Sequence, residues 1–215
     1  MKALTNEKGS GMVYSLWIML VSIVIVVIIV NLGKVYVVKQ QAATATQQAA
    51  LAGTSVLVKA TQLGIAEFDG HEDSEEQREE DDGKSISQLI DEKTDENIQA
   101  GELKNSAYIH ALNEILPERM SKYSMLNEFI SIQVDGIGTT FTATVRDVIE
   151  KNGGNVEQST VTLVLPDYRV EVKADVTFES ITDSNQTYME SMTKEIPQIG
   201  YGPSLIYLKG IVSAE

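Results

Sequence analysis

The chain has 215 residues, room for one domain of ordinary size with an appendage, and its 43% apolar content can build a core. It has no cysteine, which excludes disulfides, thiolate metal sites and a cysteine nucleophile. The net charge of −14 repels phosphate backbones, so nucleic acid is not an expected partner. That charge is unevenly spread: residues 1–39 hold Lys2, Lys8, Lys34 and Lys39 against Glu7, leaving −17 for the remainder.

Residues 12–30 read MVYSLWIMLVSIVIVVIIV, with no charge and only Ser15 and Ser22 interrupting the apolar run. As a helix this stretch is about 28 Å long, close to the hydrocarbon thickness of a bilayer. Valine and isoleucine would favour a strand in water, but in lipid the backbone must bond within its own segment, so a helix is expected. Trp17, Leu20, Ile25 and Ile29 are its expected anchor residues, and Tyr14 and Trp17 sit near one end as interfacial aromatics do. The run is too long for a cleaved secretory signal, which predicts a permanent single-pass anchor. The positive-inside count is nearly a tie. A short tail followed by a large domain predicts a cytoplasmic N-terminus and an extracytoplasmic body.

Between Lys39 and Lys59 the chain is uncharged and rich in glutamine, threonine and alanine. On a helical wheel Val38, Ala42, Ala45, Ala49, Ala52, Gly53, Val56 and Ala60 form one narrow stripe, opposite Gln40, Thr44, Gln47 and Gln48. No proline interrupts residues 12–60, so the membrane helix is expected to continue outward, with Gly33 and Gly53 as its weak points. Small residues let another backbone come close. Ala42, Ala45, Ala49, Ala52 and Gly53 are therefore candidate helix-packing positions, against partner helices or against the protein's own body.

The order Asn31-Leu32-Gly33-Lys34-Val35-Tyr36, followed by Ala49-Ala50-Leu51-Ala52-Gly53, resembles the N-terminal segment of TadE/TadG-like proteins. These are membrane-anchored, pilin-like components of the bacterial tight-adherence (Flp-type) pilus. Glu7-Lys8-Gly9-Ser10 before the span also resembles that family and type IV prepilins. The resemblance covers about residues 6–57. It implies a structural, non-enzymatic role in pilus assembly or a related secretion system, with pilin or pilus-assembly proteins as partners through the N-terminal helix. It also makes Gly9 and Ser10 candidate processing positions. Processed members carry glutamate five residues after the cleavage glycine, where this chain has Tyr14; cleavage and an uncleaved anchor both stay open.

Residues 67–83 hold ten acidic residues and only Arg78 as a fixed positive charge, which predicts an exposed loop or tether. A calcium loop is not expected, because Ser74 stands where an EF-hand needs glycine. Gly83-Lys84-Ser85 mimics a phosphate loop, but its first glycine position is Arg78 and acidic residues fill the interval. His71-Glu72 is followed by Glu75, so the zincin pattern fails. Neither cofactor nor metal is expected. In 107–116 a helix is predicted, with His110 and Glu114 as a solvated pair and Pro117 opening a second short helix.

From Phe129 the period reads as two: Ile130, Ile132 and Val134, then Phe141, Ala143 and Val145, predict strands. The clearest strand is 168–178, with Val170, Val172, Ala174 and Val176 on one face. Val161, Leu163 and Leu165 suggest another, and 205–212 a last one. Asp135-Gly136 and Asn152-Gly153-Gly154 read as turns. Residues 181–203 stay unassigned, and Asn185-Gln186-Thr187 fits a glycosylation sequon.

The expected fold is α+β: a long N-terminal transmembrane helix, then a mainly antiparallel β domain with one or two packed helices, pilin-like in outline. The expected divisions are a tail or leader at 1–11, the span at 12–30, its outer extension at 31–64, an acidic exposed segment at 65–104 and an extracytoplasmic domain at 105–215. A membrane-anchored sensor or adhesion domain on a helical stalk is the alternative function.

Overall fold

The computed structural model describes residues 7–178 and 194–211. One helix dominates it. α1 runs unbroken from Glu7 to Asp69, 63 residues or about 94 Å, passing through both Gly33 and Gly53. Five shorter helices follow: α2 (Ser74–Glu80), α3 (Ile86–Gln99), α4 (Lys104–Lys122), α5 (Ser124–Gly136) and α6 (Gly138–Lys151). Then come the strands β1 (Thr160–Val164), β2 (Arg169–Phe178) and β3 (Lys194–Ser204), and a 3-10 helix at Ile206–Gly210.

The strands form an antiparallel sheet in the order β1-β2-β3. Val161 pairs with Val172, and Val176 with Ile196. The register shifts between Arg169 and Glu171, beside Gly202 and Pro203 on β3. The alternation expected for β2 holds on its core side, where Val170, Val172, Ala174 and Val176 are buried. The sheet and the helices α5 and α6 all pack on α1, which is the spine of the body.

The α+β class holds, but helices outweigh strands. The two strands expected in 129–145 are instead α5 and α6. Leu126 and Ile130 are buried four residues apart on α5, and Val145 and Ile149 on α6. Burial against α1 overrides the β-branched propensity, since helix is the geometry that puts i and i+4 on one face. The last expected strand is the 3-10 helix, which plugs the core with Tyr207 and Leu208. Pro117 lies inside the single helix α4 rather than opening a new one. Of the two turn signals, Asn152-Gly153-Gly154 follows α6, with Gly153 at φ +75°, whereas Asp135 and Gly136 are the last residues of α5 and the break before α6 falls at Ile137. The sequon lies outside the described residues.

The acidic segment is folded. α1 continues to Asp69, whose carboxylate accepts from the backbone N–H of Ile86 and Ser87 at 3.0 Å each and so caps α3. Ser85 and Gln88 complete a capping box at the same end. Ser74 and Gln77 are buried on α2, and the Gln77 amide donates to Asp81 at 2.6 Å and to the Lys84 carbonyl at 3.0 Å. Only the outward carboxylates keep the solvated character expected of the whole segment.

Candidate helix-packing surface

α1 divides at Val38. On its N-terminal side the helix is bare: Trp17 is 62% exposed, Leu20 49%, Ile25 50% and Ile29 61%. An 18-residue window there has a mean hydropathy of 3.0 with none of it buried. Such a surface cannot face water at that length, and it meets the length and composition of a membrane span. Ser15 and Ser22 satisfy their hydroxyls on the carbonyls of Gly11 and Ile18, at 3.0 and 2.8 Å, so neither needs a partner outside the helix. Gly9 and Ser10 are already within the helix, and Tyr14 is exposed.

On the C-terminal side the same helix is covered. Val38, Ala42, Ala45, Ala49, Gly53, Leu57, Ala60 and Phe68 are buried, and Ala52 and Val56 half-buried. The buried stripe is wider than the wheel implied, because Thr46, Ala50, Thr54 and Thr61 belong to it. Each of these threonines donates its hydroxyl to the carbonyl four residues back: Thr46 to Ala42, Thr54 to Ala50 and Thr61 to Leu57, at 2.9–3.1 Å. A polar side chain is thereby buried without an unmet bond. The Tyr207 hydroxyl lies 2.9 Å from Thr61 Oγ1, and burial pushes its pKa well up.

What the stripe accommodates is backbone. A Cβ at Gly200 of β3 would lie 2.3 Å from the Thr46 carbonyl carbon and oxygen, and one at Gly202 would lie 2.1 Å from Thr54 Oγ1. Further along α1, a Cβ at Gly64 would lie 2.6 Å from Ile130 Cα on α5. Strand and helix therefore cross at backbone distance, which only glycine on one and alanine or threonine on the other permit. Gly53 is packed against Phe141 and Val145 of α6, at 3.0 Å from a Cβ placed there. It is a contact point rather than a weak one. Of the two occupants open to the stripe, the protein's own body fills it. Gly64, Gly200 and Gly202 are the packing positions that sequence reasoning missed. The alternation Ile199-Gly200-Tyr201-Gly202 was their signal, since glycine inside a strand marks a close approach.

Beyond α1, α2 is tied to the end of α4 by charge. Glu80 of α2 pairs with Lys122 and accepts from the Tyr123 hydroxyl at 2.6 Å. The bond to Lys122, then that to Tyr123, lowers the Glu80 pKa, and the Glu80 carboxylate raises that of Lys122. Asp81 pairs with Arg119. The expected His110–Glu114 couple does not form: His110 meets Glu102 at 2.8 Å, and Glu114 meets Lys93 at 2.9 Å. A groove of about 190 Å3 between α3 and α4 is lined by Leu89, Lys93, Glu96, Ile115, Glu118 and Arg119, without a histidine or hydroxyl nucleophile. Among the described residues no group of three or more histidine or carboxylate side chains is placed to hold a metal ion.

No curated protein and no solved structure matches the chain. Residues 9–60 do match a family, described as putative Flp pilus-assembly TadE/G-like. The matched stretch runs from the bare part of α1 into its buried half and covers about a quarter of the chain, so it shows a similarity to that family over this helix.

Proposed function

We propose that the protein is a single-pass, membrane-anchored, pilin-like component that serves in assembling a tight-adherence pilus or a related secretion system. The observation that carries this reading is the division of α1. Its first part is apolar and uncovered, its second part is the spine of a folded body, and the family match runs across the junction. The apolar part holds the protein in the membrane, with the N-terminus cytoplasmic and the body outside. Because the body occupies the alanine stripe, pilin or platform helices meet this chain through the membrane half, residues 11–37. The role is structural, with no reaction assigned.

The alternative, a sensor or adhesion module on a helical stalk, needs free helix between membrane and body. Here the body begins at Val38, within a dozen Å of the apolar run's end, so little stalk is left. Deletion of the gene tests the proposal: surface filaments should be lost or shortened, and normal filaments would sink it. The N-terminal sequence and mass of the mature protein, from membranes and from sheared surface material, then separate two roles. A start at Ser10 in the sheared fraction means entry into a filament. An intact N-terminus confined to membranes means an anchored assembly factor.

A further inference from the structure

Beyond the apolar run, the body reaches only part of the way round α1. Its margins are marked by Gln41, which donates to the Asn152 carbonyl at 3.1 Å, and by Gln47, which donates to that of Tyr201 at 2.9 Å. Between these margins, at about 100° per residue, Gln40, Thr44, Gln48, Leu51 and Ser55 share one face, and all five are exposed. Val38, Ala42 and Ala49, which carry the body, lie on the opposite side. Further out the face closes, because Tyr108 of α4 bonds Gln62.

The same face continues inward through the span. Gly11, Ser22, Gly33, Thr44 and Ser55 recur along it at every eleventh position. That spacing is three turns and about 20°, a repeat that wraps two helices right-handedly. From Gly11 to Ser55 the face carries no charge; Lys34 and Lys39 lie roughly 100° or more off it. Such neutrality is not general to the chain, since residues 67–118 hold 17 acidic and 4 basic side chains. In the middle of the polar part, Leu51 is 48% exposed.

We infer that two copies of the chain meet through this face, as parallel helices about a two-fold axis along the membrane normal. This rests on α1 being a membrane anchor. A shared bilayer sets both copies at one height and in one direction, so each side chain on the seam meets its own counterpart. A lysine or glutamate there would face its own charge, which is costly. Glutamine, threonine and serine both donate and accept, so each is complementary to itself. A different partner would require only matching charge or shape, not a face whose every polar group can pair with its own copy. In the pair the two sheets lie outermost, on the far sides of the joined helices, and the helices part beyond Ser55.

The chain has no cysteine and one tryptophan, so single cysteines can report the seam. The full-length protein is reconstituted alone, at a low protein-to-lipid ratio, in vesicles of phosphatidylethanolamine and phosphatidylglycerol. On mild oxidation Ser22→Cys and Thr44→Cys should give disulfide-linked dimers. Leu20→Cys, close to Ser22 in depth but on the far side of the helix, should give none. Leu51→Glu, a change at an exposed position, should abolish the Thr44→Cys adduct by setting two carboxylates face to face. Mixing those chains with Thr44→Cys chains that carry Leu51→Lys should restore it. Equal adducts at Ser22→Cys and Leu20→Cys, or a Thr44→Cys adduct indifferent to Leu51→Glu, would overturn the inference. Absence of dimers while acyl-chain nitroxide quenches Trp17 would overturn it too, and leave the anchor standing. A Trp17 untouched by that quencher would remove the anchor reading, and the inference with it.

Discussion

Gly33 and Gly53 sit on one helix, yet a Cβ at Gly33 would meet nothing within 4 Å, whereas one at Gly53 would press on Phe141, Val145 and Val170. The difference extends to whole regions. The N-terminal half of α1 is built of valine, isoleucine, leucine and methionine and leaves them uncovered; the C-terminal half is built of alanine, threonine and glycine and buries them. Lipid rewards apolar bulk and has no shape to match. A neighbouring strand has a fixed shape, and close approach gains many dispersion contacts, so small residues are favoured there. One secondary structure thus carries two composition codes, each set by what surrounds it.

The comparison breaks most visibly at the crossing of β3 and α1. Gly200→Leu should cost about 3 kcal/mol or more, because the helix backbone it meets cannot yield. Gly33→Leu should leave the body's stability unchanged. Urea titration of the detergent-solubilised chain, followed by near-ultraviolet circular dichroism, compares the two; equal midpoints would mean that β3 does not lie on α1. Next in size, Ala49→Leu should destabilise by about 1–3 kcal/mol through overpacking, while Ile25→Leu in the bare half should have no effect on the same titration.

Smaller effects sharpen how the covered half is held. Tyr207→Phe should lose about 1 kcal/mol, the net worth of its bond to Thr61. Burial raises the Tyr207 pKa above its ordinary 10.0, so folding keeps the proton longer than the unfolded chain does. The stabilisation is complete below pH 10 and is lost as pH rises beyond it; alkaline unfolding should therefore move upward in Tyr207→Phe. The smallest effect belongs to Glu80. Lys122 lowers its pKa from 4.5, so its contribution is present above that value and lost as pH falls through the depressed folded value. Glu80→Gln should flatten the acid limb of a stability–pH curve, and added salt should do the same to the wild type.

The anchor was legible because a bilayer's demands act on composition alone. β2 was legible because six side chains alternate without a break from Tyr168 to Phe178. α5 and α6 were not: Ile130, Ile132 and Val134 alternate over too few positions to exclude a helix. The spacing that decides the matter, Leu126 to Ile130 and Val145 to Ile149, gains meaning only once α1 is there to bury it. β3 was hidden by its own function, since Pro197, Gly200, Gly202 and Pro203 all lower strand propensity. Pro197 is tolerated because β3 is an edge strand, and the glycines are required by α1. The packing stripe itself could be read, but not its occupant. A run of alanines states how close a neighbour may come and says nothing about which chain supplies it.

The most direct test is a cysteine scan of α1 from Gly11 to Phe68 in cells that assemble the apparatus, followed by crosslinking. Adducts with pilin or platform helices confined to residues 11–37, with none at Ala42, Ala45 or Ala49, are the predicted result. Intermolecular adducts at Ala45 and Ala49 in a folded protein would contradict it, because those positions would then face another chain instead of the body.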